Sequence, residues 1–290
     1  MTFDVACAGA VYLDLTFVGL PGIPHPGEEQ WASDLVFSPG GMANTAIGLA
    51  RLGLSVAVVS PIGEDLAGSY LRTMLEAEGI ACTGPRSSRT SVTAVLPLHG
   101  DRALASFAPP DADHADGLAR VSARAAVMLL DQMACAPSDI PVYVLTSHAQ
   151  VHAAFLGSPT PIARAHVLIA NASEALALTA ADSPLAAAQT LARTVETAVV
   201  TMGGAGAVAA SGDVIAHVTA PQVEVRDATG AGDLFAAGYV WAELMGHSLE
   251  QRLRWATLYA SLSLRAVTAY AGAVRRADLE LAAHKLFEIP

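Results

Sequence analysis

The chain is expected to fold as an α/β protein around a mainly parallel central sheet, and three features of the sequence point there. Short apolar runs alternate with longer segments of helical periodicity, the pattern of successive β-α units. Glycine follows three of the helical segments at the position where a left-handed cap closes a helix. Of the 290 residues, 53% are hydrophobic and 15% charged, enough apolar surface to bury a large core. A chain of this length is near the limit of a single core, so one large domain carrying a small attachment is expected rather than two equal domains.

In chain order, the candidate strands are 5–8, 56–60, 126–130, 142–146, 167–170 and 198–202. Each is a nearly unbroken apolar run, as strands of a parallel sheet covered on both faces must be. The candidate helices are 42–52, ending at Gly53; 66–78, ending at Gly79 with Ile80 beyond; and 233–245, ending at Gly246. Two stretches, about 11–37 and 91–107, break the alternation. In the second, 91–98 and 102–107 read as strands joined by a turn at His99-Gly100-Asp101. Paired together, the two stretches are expected to form a small antiparallel sheet across the carboxyl end of the main sheet, a lid on a single domain spanning 1–290. There is no internal repeat.

Charge narrows the partners. With 16 Lys and Arg against 27 Asp and Glu the net charge is 16 − 27 = −11, and the longest basic run is Arg275-Arg276. Neither nucleic acid nor an anionic membrane is an expected partner. The apolar stretches are interrupted too soon to span a bilayer: Asp233 and Glu243 flank 234–242, and Arg265 divides 255–274. The first residues lack the basic start of a secretory signal. Cys7, Cys82 and Cys135 are odd in number and far apart, which suits a reducing cytoplasm.

The most informative segment is Asp227-Ala228-Thr229-Gly230-Ala231-Gly232-Asp233. An alternating apolar approach, 215–225, runs into a Gly-Ala-Gly turn and then into a helix. Small residues at Gly230, Ala231 and Gly232 let backbone N–H groups converge at a helix N-terminus, where the macrodipole also favours negative charge. Asp233, at the rim of that anion hole, either caps the helix or accepts a proton from an incoming hydroxyl. An anion hole beside a base is what phosphoryl transfer to an alcohol requires.

Gly40-Gly41 permits close backbone approach, and Asn44, one turn into the next helix, can offer its amide to vicinal hydroxyls. Asp14 stands where a strand leaves the sheet, a common ligand position in α/β folds. Asn171 and Glu174, three apart, share a face of a first helical turn: they either hold water ligands of Mg²⁺ or form a capping box. Thr201, with Gly203 and Gly206, puts a hydroxyl and exposed backbone at a strand end where a nucleotide could lie. A rival dinucleotide fingerprint over Gly204–Gly206 fails on context, because a hairpin rather than a helix is expected to follow. His148 and His152 are spaced like a helical zinc pair, but no glutamate stands between them as in a metalloprotease and no third ligand is evident. No Gly-x-Ser-x-Gly hydrolase elbow is present.

In order, Asp14, Gly40-Gly41 with Asn44, Asn171-x-x-Glu174, Thr201-x-Gly203-x-x-Gly206 and Asp227-x-Thr229-Gly230-Ala231-Gly232-Asp233 resemble the ribokinase, or PfkB, family of carbohydrate and nucleoside kinases, from Val5 to Asp278. The resemblance implies a three-layer α/β/α sandwich with a small β-sheet lid and transfer of the ATP γ-phosphoryl group to a sugar hydroxyl. Asp233 would be the base and Gly230, Ala231 and Gly232 the anion hole. Asp14, Gly40, Gly41 and Asn44 would contact the sugar. Asn171 and Glu174 would govern Mg²⁺ and phosphates, with Thr201, Gly203 and Gly206 bordering the nucleotide. Asp227 and Thr229 match positions that in many members help bind potassium, and members often dimerise through the lid, so a homodimer is implied. Two departures concern the substrates. No glutamate aligns near 129–136, where Asp131 and Gln132 are the nearest polar residues, and Thr257 or Tyr259 stands where the family often has an adenine-side asparagine. Alternatives are a nucleoside kinase whose base packs on Trp31 or Phe107, and a sugar sensor without turnover.

Overall fold

A computed structural model describes residues 2–98, 101–109, 117–147 and 162–286. The turn at 99–100 and the histidine pair at 148 and 152 lie outside them. The strands are β1 (Phe3–Ala8), β2 (Val11–Val18), β3 (Asp34–Gly41), β4 (Val56–Val59), β5 (Ile62–Gly63), β6 (Ala81–Cys82), β7 (Arg86–Ser87), β8 (Ser91–Leu98), β9 (Asp101–Phe107), β10 (Ala123–Leu129), β11 (Val142–Leu145), β12 (Val167–Asn171), β13 (Thr197–Thr201), β14 (Ala207–Ser211) and β15 (Val214–Val218). The α-helices are α1 (Met42–Arg51), α2 (Leu66–Ala77), α3 (Ala172–Thr179), α4 (Pro184–Leu191), α5 (Ala231–Leu244), α6 (Leu249–Ser263), α7 (Ala269–Gly272) and α8 (Arg276–Leu286).

Nine strands form the main sheet in the order β15-β14-β13-β12-β11-β10-β1-β4-β6. Pairing is parallel from β13 to β6, while β14 and β15 are a hairpin added antiparallel at one edge. Successive residues of a strand face opposite layers. Val5 and Cys7 therefore join a core with α1, α5 and α6, and Ala6 and Ala8 join another with α3 and α4. This is the three-layer arrangement expected. Among the described residues no helix is long and apolar enough to cross a membrane.

The second sheet, of four strands in the order β3-β2-β8-β9, stands apart from the first. It is not wholly antiparallel, as the sequence suggested, because β2 and β8 run parallel. The reason is topological: α1, β4 and α2 intervene, and that long crossover returns the chain in the direction of β2. Two further boundaries differ. Helix α5 begins at Ala231, two residues before the expected start, and of the alternating stretch 215–225 only the part within β15 is strand. Beyond it Pro221 has no N–H to continue a ladder.

Glycines set how closely three helices approach. A methyl group on Gly48 of α1 would come within 2.7 Å of the Ala237 side chain on α5, and one on Gly238 within 3.0 Å of Ala256 on α6. That proximity brings the first turn of α1 beside the first turn of α5.

Candidate active site

Gly230 is the N-cap of α5, in the left-handed conformation (φ 73°), and no side chain caps the helix. A Cβ there would also overlap the Ala269 side chain, so glycine is required by both conformation and space. The Ala231 N–H turns back to the Ala228 carbonyl at 3.3 Å. The N–H groups of Gly232 and Asp233 remain those of an uncapped first turn, which has no intrahelical acceptor for them.

Asp233, half-buried, receives the Asn44 amide: Nδ2–H donates to Oδ2 at 3.0 Å. Asn44 thus gives one donor to the carboxylate and keeps a second N–H and its carbonyl. Burial raises the Asp233 pKa to about 6, against the Asn44 bond and the Arg102 charge, which lower it. Asp14, on β2, is raised to about 7 by burial and then by the negative charge of Asp233; a Thr93 bond and Arg102 act in the opposite sense. The two carboxylates therefore share one field. Gly40 makes room for them, since a Cβ there would overlap the Asp14 carboxylate. Gly41 (φ 62°) turns the chain into α1 with Asn44 in its first turn.

Across a strand end lies a cavity of about 360 Å³ lined by Thr201, Gly203 and Gly206, by Ala231 and Gly232, and by Phe235, Thr257 and Ser261 among others. At Gly206 (φ 96°) a side chain would overlap the Val218 carbonyl, so the turn after β13 needs glycine. Tyr259 does not reach this cavity: its hydroxyl donates to Gly48 O at 3.3 Å or Val274 O at 3.1 Å. Of the two residues considered for the adenine side, Thr257 is the one that lines it.

Asn171 and Glu174 form the capping box of α3: Asn171 Oδ1 accepts from the Glu174 N–H at 2.9 Å, and Glu174 Oε2 accepts from the Asn171 N–H at 3.1 Å. Thr146, which the sequence did not single out, adds a 2.6 Å hydrogen bond to the same carboxylate oxygen. Asp227 accepts from the backbone N–H groups of Thr229 (2.8 Å) and Thr268 (2.9 Å), while Thr229 Oγ1 is buried without a partner. Among the described residues no cluster of three His, Cys, Asp or Glu forms a metal site. Burial raises the pKa of Tyr12, two residues from Asp14, and the negative charges of Asp14 and then Asp131 add to it, so Asp131 lies within reach of this side of the cleft.

Two residues near the carboxylates also escaped sequence reading. Thr93 lies opposite Asp14 in register, and Arg102 lies on β9 opposite Pro97. The two-residue period puts both on the sheet face that carries Asp14. Only the pairing of β2 with β8 and β9 reveals this, since all three residues are far apart in the chain.

A model of the pfkB family of carbohydrate kinases matches residues 3–274. The chain is 28% identical to the ribokinase of Bacillus subtilis (strain 168), over 96% of this chain and 98% of that one. It is 25% identical to the acarbose 7(IV)-phosphotransferase of Actinoplanes sp. (strain ATCC 31044 / CBS 674.73 / SE50/110), over 95% and 97%. In fold it is similar to the ribokinase of Thermotoga maritima, with TM-score 0.82, 20% identity, and 96% and 98% of the two chains covered. A ribokinase II of E. coli, in complex with ATP and Mg²⁺, superposes with TM-score 0.79, 17% identity, and 98% and 100% coverage.

Proposed function

Because the chain belongs to the pfkB family of carbohydrate kinases, phosphotransferases with a hydroxyl acceptor, we propose that it moves the γ-phosphoryl group of ATP to a sugar hydroxyl with Asp233 as general base. The observation that carries this reading is the uncapped N-terminus of α5 with a half-buried carboxylate in its first turn. A helix capped only for stability would spend Asp233 on its own N–H groups; here the carboxylate meets Asn44 across the cleft instead.

In this reading Asp14 and the spare polar groups of Asn44 hold the sugar, with Gly40 and Gly41 keeping backbone close. The sugar hydroxyl lies against Asp233, which takes its proton as the oxygen attacks. N–H groups at Gly230, Ala231 and Gly232 face the developing charge, those of Ala231 least because of its bond to Ala228. The cavity at Thr201, Gly203 and Gly206 receives the nucleotide.

Mg²⁺ would supply charge neutralisation at the phosphates. Asn171 and Glu174 fit a role through water, since their mutual bonds and Thr146 already occupy the oxygens nearest each other. Potassium would be held at Asp227 and Thr229, where the unpartnered Thr229 hydroxyl fits a ligand. The small sheet acts as a lid on one domain spanning 1–290. Its other face exposes Leu35, Phe37 and Phe107, each at least 40% accessible, and suits a homodimer. Phe107→Glu should then convert the dimer to a monomer in sedimentation velocity.

The central test is Asp233→Asn. Binding of sugar and ATP should persist while kcat falls at least ~10²-fold, the scale of a lost general base. Near-normal turnover in that variant sinks the mechanism, and absence of turnover in the parent across pentoses, hexoses and nucleosides favours a sensor.

A further inference from the structure

Arg51, the last residue of α1, faces two ways. Its Nε–H and Nη2–H donate to the two oxygens of Glu78 at 3.1 and 2.6 Å, while Nη1 donates to the carbonyls of Tyr270 and Ala273, both at 2.7 Å. The ion pair is buried, and Arg275 stands 3.8 Å from the same carboxylate with its side chain exposed. A guanidinium that serves two carbonyls of one short segment fixes where that segment lies. The segment starts at Thr268, a non-glycine residue at positive φ (φ 71°, ψ 146°). Such a backbone persists where surrounding bonds over-determine it. Here the Thr268 N–H donates to Asp227 Oδ2 at 2.9 Å, its Oγ1 and carbonyl accept from Ala271 and Gly272, and Arg51 holds the far end. The strained turn carries Ala269, which is buried and packs on the N-cap of α5: a Cβ on Gly230 would overlap the Ala269 side chain, and would lie 3.0 Å from Asn44 Nδ2. Helix α1 therefore reaches Gly230 twice, directly through Asn44 and through the 268–273 segment by way of Arg51.

No side chain caps α5, and glycine at its N-cap has wide conformational freedom, so the restraint on the first turn has to come from what packs around Gly230. We infer that Arg51 is a positioning residue for phosphoryl transfer: by holding the Tyr270 and Ala273 carbonyls it keeps Ala269 against Gly230, and so fixes the direction of the N–H groups at the start of α5. This rests on the reading of that helix start as the anion hole. Donors stabilise developing charge when they are aimed before it appears, and a misplacement of about 1 Å costs on the order of 10²-fold in rate. Glu78 has a different part. It neutralises the buried guanidinium and meets the segment through the Tyr270 side chain, not through its backbone. The two parts can be separated by substitution.

The test compares Arg51→Met with Glu78→Gln in the full chain. Amide hydrogen exchange and a thermal melt are measured on the free proteins, and steady-state kinetics with ATP and the acceptor that the parent phosphorylates fastest among pentoses, hexoses and nucleosides. In Arg51→Met the amides of 229–234 and 268–273 should exchange about tenfold faster than in the parent while those of β1 and β10 hold. Its kcat should fall about tenfold or more, with both KM values within about threefold of the parent. Glu78→Gln leaves Nη1 on the two carbonyls: Tm should drop, because a buried charge loses its partner, while kcat and exchange at 229–234 stay within about twofold. Should Arg51→Met not fold, Arg51→Lys carries the same expectation, since one ammonium cannot face Glu78 and both carbonyls. Losses of kcat that follow the losses of Tm in both variants make Arg51 structural and overturn the inference. Normal kcat in the Arg51 variant beside an inactive Asp233→Asn overturns it too and leaves the base assignment standing. Normal turnover in Asp233→Asn overturns the base assignment alone, and a parent without turnover overturns both.

Discussion

On the side of Asp14 and Asp233, charge is carried by side chains that alter one another: two carboxylates lie in one field, one held by Asn44, and both are lowered by Arg102. On the side of Thr201 and Gly206, no titratable side chain lines the cavity among the described residues, and the polar side chains there are hydroxyls and the Gln222 amide, beside backbone at glycines. The two halves meet at Gly232, in the first turn of α5. On the proposed function the difference separates two roles. An acceptor half that moves a proton needs groups whose pKa can be set. A donor half would receive a polyanion without adding charge, and backbone N–H groups at a helix start offer this even in a chain of net charge −11.

The strongest way to break this comparison is Gly40→Ala. The added methyl displaces the Asp14 carboxylate, so the acceptor half loses a charged hydrogen bond while the donor half is untouched. The expected result is a fall of about 10²-fold in kcat/KM for the sugar, the scale of losing a hydrogen bond to a charged group, with the KM for ATP unchanged. Steady-state kinetics with each substrate varied decides it, and a matching rise in the KM for ATP would show that the halves are not separable.

The next effect is in the pH profile. In its proposed role as base Asp233 must be ionised to act, and burial raises it to about 6. Log kcat/KM should therefore rise with unit slope up to about pH 6 and then level. At pH 5 the rate should be about tenfold below the plateau, whereas an unperturbed carboxylate would keep nearly full activity there. Asn44→Ala removes a hydrogen bond that favours the charged form, so the ascending limb should move to higher pH along with a raised sugar KM. A limb that stays in place would mean that the titrating group is not Asp233.

What could be read in advance follows the same division. The strands and the glycine stops were readable because burial on both faces and a left-handed cap each leave a local mark, as at 167–170 and Gly53. The glycines of the donor half were readable too, since a strand end running into Gly203 and Gly206 is a local signal. The coupling in the acceptor half was not. Asn44 and Asp233 are 189 residues apart and meet because Gly48 lets α1 close on α5. Arg102 acts on both carboxylates through the register of β9, and the parallel pairing of β2 with β8 depends on a crossover rather than on either strand's composition.

The smallest expected effect tests the shared field without any substrate. Asp14 has a folded-state pKa of about 7 against an ordinary value of 3.8. Between those values the folded protein holds a proton that the unfolded chain has released, so stability falls as pH rises through that window. The contribution is fully present below about pH 4 and lost above about pH 7. Asp14→Asn removes the group: the variant should match the parent near pH 4 and exceed it at pH 8, by about 2 °C in Tm, since Asp14 keeps some solvent access and only part of the burial effect reaches stability. Melts of both proteins at the two pH values measure the difference directly. A variant less stable than the parent at pH 8 would mean that the Thr93 bond and Arg102 outweigh burial, and the acceptor half would then be a neutralised ion cluster rather than a pair of strained acids.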